Sequence, residues 1–384
     1  MSLRVLFPFS CNNDLTSHPP FSLVRYLATS DLHAELWVAR RGPRAREPFV
    51  RAGIPEGMRW CLDHANRALR SDLSWTRMLT ERRFANAFRR GDAAWMYRGC
   101  SVALTKHLRD AGHPVFFECV NTMGRTLLDI IADAFARAGW PIEPPYSLDI
   151  PQDGYRANVD AADFVFSPSP AVTDSLLKHG VPREKILETS YGWDPARFKA
   201  GQPALPTTNG VTVLFVGNVG LRKGAHLLLD AWSRSGIKGR LVLAGRMESL
   251  IARRCAGQLA RPDVILRDYD PDPAPVYRSA DIFAFPTLEE GSPLVSYEAM
   301  GNGLPVVTSP MGAGHIIRHE QEGIIVDPYD QEGLVRALQD LAEDVQKRQR
   351  MAAAARRRGA EYTWDKVAQQ RYRLFKNALR ALGH

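Results

Sequence analysis

The sequence contains few cysteines and no long apolar run. Its five cysteines are scattered without a CxxC pair, which disfavours a disulfide framework or a zinc site and suits a reducing cytoplasm. No stretch reaches the roughly 18 apolar residues of a membrane-spanning helix. The opening residues MSLRVLFPFS predict a strand rather than a signal peptide, because the apolar run is short and no small-residue cleavage site follows. We therefore expect a cytoplasmic protein.

Positive charge is concentrated in one part of the chain. The formal net charge is +8, and residues 67–98 are rich in arginine. Five aromatic residues are interleaved with these arginines: Trp75, Phe84, Phe88, Trp95 and Tyr97. One interpretation is a helical hairpin with a solvated basic face. A second is peripheral contact with an anionic membrane at its inner face. Nucleic-acid binding is not expected, because no known nucleic-acid module surrounds the segment.

Apolar strands alternate with amphipathic helices along the second half of the chain. VTVLFVGNV and DIFAFPT are continuous apolar strands, and KGAHLLLDAWSRS is an amphipathic helix. This alternation is typical of a parallel sheet covered on both faces. In the first half, LRVLFPF, AELWVAR, PVFFECV and DFVFSPS predict further strands, and Pro-rich residues 194–210 predict a linker. We predict an α/β protein of two doubly wound, Rossmann-like domains facing each other across a cleft.

Two acids lie eight positions apart in EEGSPLVSYEAM. Pro293 predicts the first turn of a helix, with Ser292 as its N-cap. The free amides at residues 291–295 would face the carboxyl edge of the sheet, which suits hydroxyl and phosphate oxygens. Glu290 and Glu298 are placed to contact one elongated ligand at two points. The alternative is one exposed acid and a buried, paired Glu298.

A second strand-to-helix turn, FVGNVGLRKG, spans residues 215–224. Gly217 and Gly220 permit close approach of the backbone to a ligand, while Arg222 and Lys223 add positive charge. The turn is similar to a phosphate cradle, although it is not the GxxxxGK[ST] loop of nucleotide hydrolases. A basic loop with turn glycines is the alternative.

Together with LVLAG and EGIIVDPYDQEGLV, these two motifs closely resemble the retaining nucleotide-sugar glycosyltransferases of family 4, which have the GT-B fold. The resemblance covers residues 160–384 in order, whereas the first 150 residues share only the alternation of strands and helices. It implies an acceptor-side domain over residues 1–195 and a donor-binding domain over residues 205–364. It also implies a C-terminal helix, residues 365–384, that crosses back onto the first domain.

The resemblance implies a hexosyl-type transferase that moves a sugar from a nucleotide-diphosphate sugar to a saccharide or lipid-linked acceptor. The anomeric configuration would be retained, no metal or other cofactor would be needed, and bacterial surface polysaccharide synthesis would be the setting. Catalytic Glu290 would contact the donor sugar and Glu298 the ribose hydroxyls. Arg222 and Lys223 would hold the diphosphate. The other implied donor-binding residues are Gly217, Asn218, Tyr269, Gly291, Ser292, Pro293 and Leu294.

The sequence departs from the family at several positions. Asn218 replaces a frequent arginine, and His315 replaces a frequent glutamate, so a ligand contact by His315 is open alongside a structural role. The glycine-rich loop that many relatives carry after the first strand is missing. The segment FFECVNTMGR lacks the histidine that some relatives have there. The candidates for the acceptor side are Glu118, Asn121 and Thr122.

Three aspartates alternate with other residues in RDYDPD, at positions 268, 270 and 272. Such a pattern binds a divalent ion in another glycosyltransferase fold. Here a base-flanking role for Tyr269 and a solvated acidic turn are the favoured alternatives. Two other functions also remain open: a nucleotide-sugar epimerase or hydrolase on the same fold, and a catalytically silent partner subunit that binds sugar or nucleotide.

Overall fold

The computed structural model describes residues 2–11, 17–28, 32–54, 75–144, 146–147 and 153–384, and two parallel sheets organise it. The first has the order β3-β2-β1-β4-β5-β6-β7. Its strands are β1 (Ser2–Cys11), β2 (His33–Arg41), β3 (Val50–Ala52), β4 (Ala93–Met96), β5 (Val115–Glu118), β6 (Phe164–Ser167) and β7 (Ile186–Glu188). The helices of this part are α1 (His18–Leu27), α2 (Trp75–Ala85), α3 (Val102–Asp110), α4 (Thr126–Ala138), α5 (Asp153–Ala161) and α6 (Pro170–Lys178).

The second sheet has the order β10-β9-β8-β11-β12-β13. Its strands are β8 (Val211–Val216), β9 (Gly239–Ala244), β10 (Val264–Arg267), β11 (Ile282–Phe285), β12 (Val306–Thr308) and β13 (Gly323–Ile325). The helices that follow β8 are α7 (Ala225–Ser235), α8 (Ser249–Arg254), α9 (Ala256–Leu259), α10 (Ala274–Tyr277), α11 (Leu294–Gly301), α12 (Pro310–Ala313), α13 (Gln331–Glu343), α14 (Val345–Gly359) and α15 (Trp364–Ala381).

Both sheets are parallel throughout, as the continuous apolar strands predict. Strands of this kind are buried on both faces, and their order reverses beside the first strand of each domain, at β1/β4 and at β8/β11. Such a reversal opens a crevice at the carboxyl ends of the strands. The prediction of two doubly wound domains is therefore confirmed. No helix in the described ranges is long and apolar enough to cross a membrane.

The basic segment does not form the helical hairpin expected from its sequence. Residues 67–74 lie outside the described residues, but Ala93–Met96 forms β4 between β1 and β5. Trp95 and Phe84 are fully buried in the core, whereas Trp75 is 40% exposed. The strand was missed because its four residues are too few to show a period of two. Three of the five aromatics, with Tyr97 the third, are therefore core residues.

The last helix, α15, packs on the first domain through a buried ion pair. Arg371 is fully buried, and its guanidinium lies 2.8 Å from the equally buried carboxylate of Glu118. Arg371 also donates two hydrogen bonds to the Ser190 carbonyl, at 3.1 and 2.9 Å. Trp95 donates to the same carboxylate from its indole nitrogen, at 3.1 Å. Glu118 is thus bound by donors from the last helix and from β4.

The two segments that connect the domains run side by side. Trp193 donates to the Tyr362 carbonyl at 3.0 Å, and Trp364 donates back to the Trp193 carbonyl at 3.1 Å. A Cβ on Gly192 would lie 2.6 Å from the Tyr362 carbonyl, so only a glycine permits this approach. The outgoing and returning segments therefore form one paired crossing.

We expect Glu118→Ala to lower the free energy of unfolding by about 3–5 kcal/mol, because the substitution leaves the buried Arg371 guanidinium without a counter-charge. Urea unfolding of the whole chain measures the change. The control is Asp133→Ala, which breaks an exposed pair with Arg137 at 2.7 Å and should have little effect. Equal losses in the two variants would contradict the assigned role of the buried pair.

Candidate functional site

A cavity of about 730 Å³ opens at the carboxyl edge of the second sheet. The loops after β8, β9 and β10 and the start of α11 form its walls. Five of the predicted donor-binding residues line it: Gly217, Asn218, Tyr269, Leu294 and Glu298. His18 from α1 and Arg197 from the linker complete the lining on the other side. The site therefore draws on both domains and lies where ligands of doubly wound sheets bind.

Glu298 is the buried acid of the cavity. It projects from α11 and accepts a hydrogen bond from the Tyr277 hydroxyl at 3.0 Å. Burial raises the pKa of this carboxyl from 4.5 to about 7, although the charge of Arg197 and the Tyr277 hydrogen bond oppose the shift. Near neutral pH the group is therefore divided between its neutral and ionised forms. It can accept hydrogen bonds from a diol and can also hold a proton.

The loop between β8 and α7 is held close to the end of β11. Gly224 has a φ of +69°, and a Cβ there would collide with the Pro286 carbonyl. Both constraints require glycine, and they bring the preceding Arg222 and Lys223 beside the acids that follow β11. The close packing of two loops from neighbouring strands explains why the two sequence motifs form a single site.

Arg222 and Lys223 are each paired with one of two adjacent acids. The Arg222 guanidinium lies 2.7 Å from the Glu289 carboxylate, while the Lys223 ammonium pairs with Glu290. Burial lowers the pKa of Lys223, although the charge of Glu290 opposes the effect. The four charges sum to zero, and the cluster lies in the loops after β8 and β11, outside the lining of the cavity itself. An added anion would compete with the two carboxylates for the two cations.

Glu289 joins the two domains, and sequence reasoning missed it. Its carboxylate is fully buried and accepts hydrogen bonds from the Asn121 amide at 3.3 Å and the Thr122 hydroxyl at 3.0 Å. Burial alone would raise its pKa, but the charges of Arg222 and Lys223 hold the pKa below its ordinary value. The one available signal was the doubled acid in EEG. Asn121 and Thr122 therefore contact the donor-side loop directly.

Gly291 lies against the first domain. A Cβ at this position would collide with the carbonyl oxygen of Val120, which directly precedes Asn121. The backbone after Glu290 therefore touches the loop that follows β5, and no larger residue fits there. This contact, with those of Glu289, closes the cleft along one side of the charge cluster.

A second group missed from the sequence supports the loop after β8. The Glu248 carboxylate accepts hydrogen bonds from the Asn218 amide at 2.6 Å and from the Leu221 backbone amide at 3.1 Å. It also accepts from the hydroxyl of Tyr146, a first-domain residue, at 3.0 and 2.9 Å. Burial and then the Glu248 charge raise the pKa of Tyr146. Asn218 therefore donates a hydrogen bond to the Glu248 carboxylate here, whereas an arginine at this position would add a positive charge to the loop after β8.

Several predicted site residues lie elsewhere or act differently. Ser292 does not cap α11, because its hydroxyl lies 2.6 Å from the Tyr297 hydroxyl and Pro293 occupies the N-cap position. The prediction that Glu118 lies on the acceptor side is wrong, since this residue is fully buried and bound to Arg371. His315 lies outside the cavity lining and packs against the Tyr362 ring, with centroids 6.1 Å apart.

The aspartates of the acidic turn accept backbone hydrogen bonds. Asp270 accepts from the amide of residue 272 at 2.8 Å, and Asp272 accepts from the Ala274 amide at 3.1 Å. The turn forms part of the cavity wall beside Tyr269, whose ring is 36% exposed. Within the described parts of the chain, no three His, Cys, Asp or Glu side chains converge as metal ligands do.

Comparison with known proteins identifies the class of fold first. A sucrose-phosphate synthase from Thermosynechococcus elongatus superposes with a TM-score of 0.70 at 18% identity, over 99% of this chain and all of that one. The Anabaena protein HepE in complex with UDP-glucose superposes with a TM-score of 0.69 at 16% identity, over 98% and 100%. These structures are GT-B glycosyltransferases, so the fold predicted from the sequence is confirmed.

Sequence matches point to the same class of protein. Residues 210–344 match the family model described as "Glycosyl transferases group 1". A D-inositol 3-phosphate glycosyltransferase from Corynebacterium kroppenstedtii is 28% identical over 257 residues, which is 59% of this chain and 56% of the relative. The chain thus matches little more than half the length of that relative. The second domain is similar to group 1 glycosyltransferases, and the resemblance to family 4 is confirmed.

We expect the free energy of unfolding of the wild type to fall, relative to that of the Glu298→Gln variant, as the pH rises from 5 to 7. The Glu298 carboxyl has a pKa of about 7 in the folded protein and of 4.5 in the unfolded chain. Between these two values the unfolded chain loses its proton first, so rising pH favours the unfolded state. The full difference corresponds to about 3 kcal/mol. Urea unfolding at a series of pH values measures it.

The neutral glutamine keeps the size of the side chain and an acceptor for the Tyr277 hydroxyl. The comparison of the two proteins at pH 5 therefore serves as the control. There the two proteins should be similar in stability, and at pH 8 the variant should be the more stable. Unfolding curves that stay parallel from pH 5 to 8 would show that Glu298 has an ordinary pKa in the fold.

Proposed function

We propose that this protein transfers a sugar from a nucleotide-diphosphate sugar to a saccharide or lipid-linked acceptor, with retention of configuration. The observation that carries the proposal is the cavity lined by Gly217 and Glu298, together with the paired cations Arg222 and Lys223 on the loop after β8. Its volume of about 730 Å³ falls in the range of small-molecule sites and suits a nucleoside. The group 1 domain and the neighbour in complex with UDP-glucose support the same assignment.

The cavity accommodates the nucleoside in this proposal. The base lies along Tyr269 and the apolar wall, and the ribose hydroxyls donate to Glu298. This carboxylate accepts such hydrogen bonds best when ionised, and its raised pKa places that transition near neutral pH. The buried position excludes competing water, which strengthens each hydrogen bond to the charged group. Glu298 therefore contributes mainly to affinity in this proposal.

The diphosphate lies over Arg222 and Lys223. Its charges compete with Glu289 and Glu290 for the two cations, and the released Glu290 then faces the donor sugar. As the sugar–phosphate bond breaks, negative charge grows on the departing phosphate, where fixed cations stabilise it without reorganising. We propose that no metal ion takes part, because these two side chains supply the charge. The departing phosphate itself accepts the proton of the acceptor hydroxyl.

We expect two nucleotide-site variants to separate binding from turnover. Glu298→Ala should weaken nucleotide binding about tenfold to a hundredfold, since hydrogen bonds to a charged group are lost equally from ground and transition states. Glu290→Ala should leave affinity for nucleotide nearly intact and lower turnover about a hundredfold, because the reacting sugar is misplaced. Calorimetry with UDP-, GDP- and ADP-glucose measures binding, and release of free nucleotide with and without acceptor measures turnover.

The matched control is Glu343→Ala, an exposed acid at the end of α13 in the same domain. All measurements are made in EDTA. A strict requirement for magnesium or manganese would contradict the assignment of the diphosphate to Arg222 and Lys223. Equal nucleotide affinity in the wild type and Glu298→Ala would remove the ribose contact, and nucleotide release that ignores acceptor would favour a hydrolase.

We further propose that the enzyme works in the cytoplasm at the inner face of a membrane, in bacterial surface polysaccharide synthesis. The support is the exposed basic surface of α2 and the turn after it. The surface arginines are Arg82, Arg83, Arg89 and Arg90. Trp75 and Met78 add exposed apolar area on α2, at 40% and 46%. Basic side chains beside exposed apolar ones suit anionic headgroups.

We expect the wild type to bind vesicles of phosphatidylglycerol at low salt and to be released by high salt, because screening weakens the attraction. Replacing the four α2-side arginines by glutamine should abolish binding without changing nucleotide affinity. Vesicle sedimentation measures both effects. A control variant loses the same charge from exposed arginines elsewhere: Arg336, Arg350, Arg357 and Arg373. Equal loss of binding in both variants would show a general charge effect and no membrane face.

A further inference from the structure

The carboxyl edge of the first sheet carries an exposed aromatic residue beside the charge cluster. Leu6 pairs with Met96 across β1 and β4, and Met96 pairs with Phe117 across β4 and β5. Phe9 near the end of β1, Gly99 after β4 and Val120 after β5 therefore lie at the same edge of the sheet. The Phe9 ring packs on Gly99, since a Cβ on Gly99 would lie 2.6 Å from its Cζ.

Val120 is also the residue against which Gly291 packs. β4 alone separates β1 from β5, so the axes of these two strands lie roughly 10 Å apart. Glu290 directly precedes Gly291. The Phe9 ring and the proposed position of the donor sugar therefore share this edge of the first sheet.

Phe9 is an exposed aromatic residue on a strand, and its ring packs against a buried one. Its side chain is 46% exposed, whereas Phe7, two residues earlier on the same strand, is buried. The two rings meet edge to face with centroids 5.2 Å apart, and Phe7 in turn contacts Tyr97. An ordered, half-exposed ring at a sheet edge offers a flat apolar face. The C–H groups of a sugar ring match such a face.

Arg98 is the residue before Gly99, on which the Phe9 ring packs. It is exposed, and it forms no side-chain hydrogen bond or ion pair with any residue in the described ranges. Ser10, exposed at the end of β1, adds a hydroxyl to the same edge.

We propose that Phe9 and Arg98 form the acceptor subsite, which binds a saccharide that carries a carboxylate or phosphate group. This inference rests on the proposed function and adds the class of acceptor. The sugar ring stacks on Phe9, its anionic group pairs with Arg98, and its free hydroxyl points along the sheet edge toward the donor sugar beside Glu290. A neutral saccharide would leave Arg98 without a partner, so it would bind more weakly.

The test is direct binding of three simple saccharides, measured by saturation-transfer NMR with and without UDP. The probes are methyl glucoside as the neutral sugar, methyl glucuronide as the carboxylate and methyl glucoside 6-phosphate as the phosphate. We expect at least one charged probe to bind about fivefold tighter than the neutral one, the effect of one exposed ion pair. The comparison of the two charged probes decides which anion the subsite accepts.

Four variants assign the effect to residues. Arg98→Gln should remove the preference for the charged probe, while Arg98→Lys should retain most of it. Phe9→Ala should weaken all three probes, and Phe9→Tyr should restore them because the ring is kept. The controls are the exposed Arg373→Gln and Leu382→Ala near the C-terminus, which should change nothing.

Equal affinity for charged and neutral probes in the wild type would overturn the proposal, as would a preference that survives Arg98→Gln. Affinities for UDP, GDP and ADP are measured in parallel on the wild type. Failure to bind any nucleotide would reject the proposed function, whereas nucleotide binding without a charged-probe preference would reject only the acceptor subsite.

Discussion

The buried ion pair between Arg371 and Glu118 is the interaction on which the arrangement of the two domains depends. It takes two charges out of water, and this is favourable only because Trp95 and the Ser190 carbonyl complete their hydrogen bonds. The pair attaches α15 to the first sheet although the chain has just left the second domain. The paired crossing at Trp193 and Trp364 follows from that attachment, and so the carboxyl edges of the two sheets face each other.

Where these edges meet, charged and polar side chains form the contacts between the domains. Arg222 and Lys223 are balanced by Glu289 and Glu290, and Glu289 also binds Asn121 and Thr122 across the cleft. In this cluster each cation has a carboxylate as its partner. It also links the two domains, because whatever displaces Glu289 from Arg222 alters the contact with the first domain. The proposed donor binding and the cleft geometry are therefore coupled through one carboxylate.

The halves of the chain differ in how strongly they resemble known proteins. The second domain matches a family model over residues 210–344, whereas the whole chain is related to solved structures by fold at less than 20% identity. A donor site binds a common chemical group and needs the same glycines, cations and acids wherever it occurs. An acceptor side varies with its substrate, and here Phe9 and Arg98 occupy an edge where no family pattern pointed to them.

The sequence by itself determined the second sheet, the position of its carboxyl edge and the residues that follow its strands there. Apolar strands, amphipathic helices and the turn glycines are local signals, and they placed Gly217 and Glu298 at the edge where the cavity opens, with Arg222 and Lys223 on the neighbouring loop. The four-residue strand β4 gave no such signal, because so short a segment has no readable period.

Only the tertiary structure decided the role of each buried acid. Glu118, an acceptor-side candidate in the sequence, became a structural counter-charge, and Glu289, which the sequence analysis did not single out, became an interdomain link. Glu248 and Tyr146 meet over 102 positions of chain. Burial and partners at such separations arise when elements pack, and no local pattern encodes them. For that reason the sequence identified the two motifs of the proposed donor site, while the fold established how the two domains meet there.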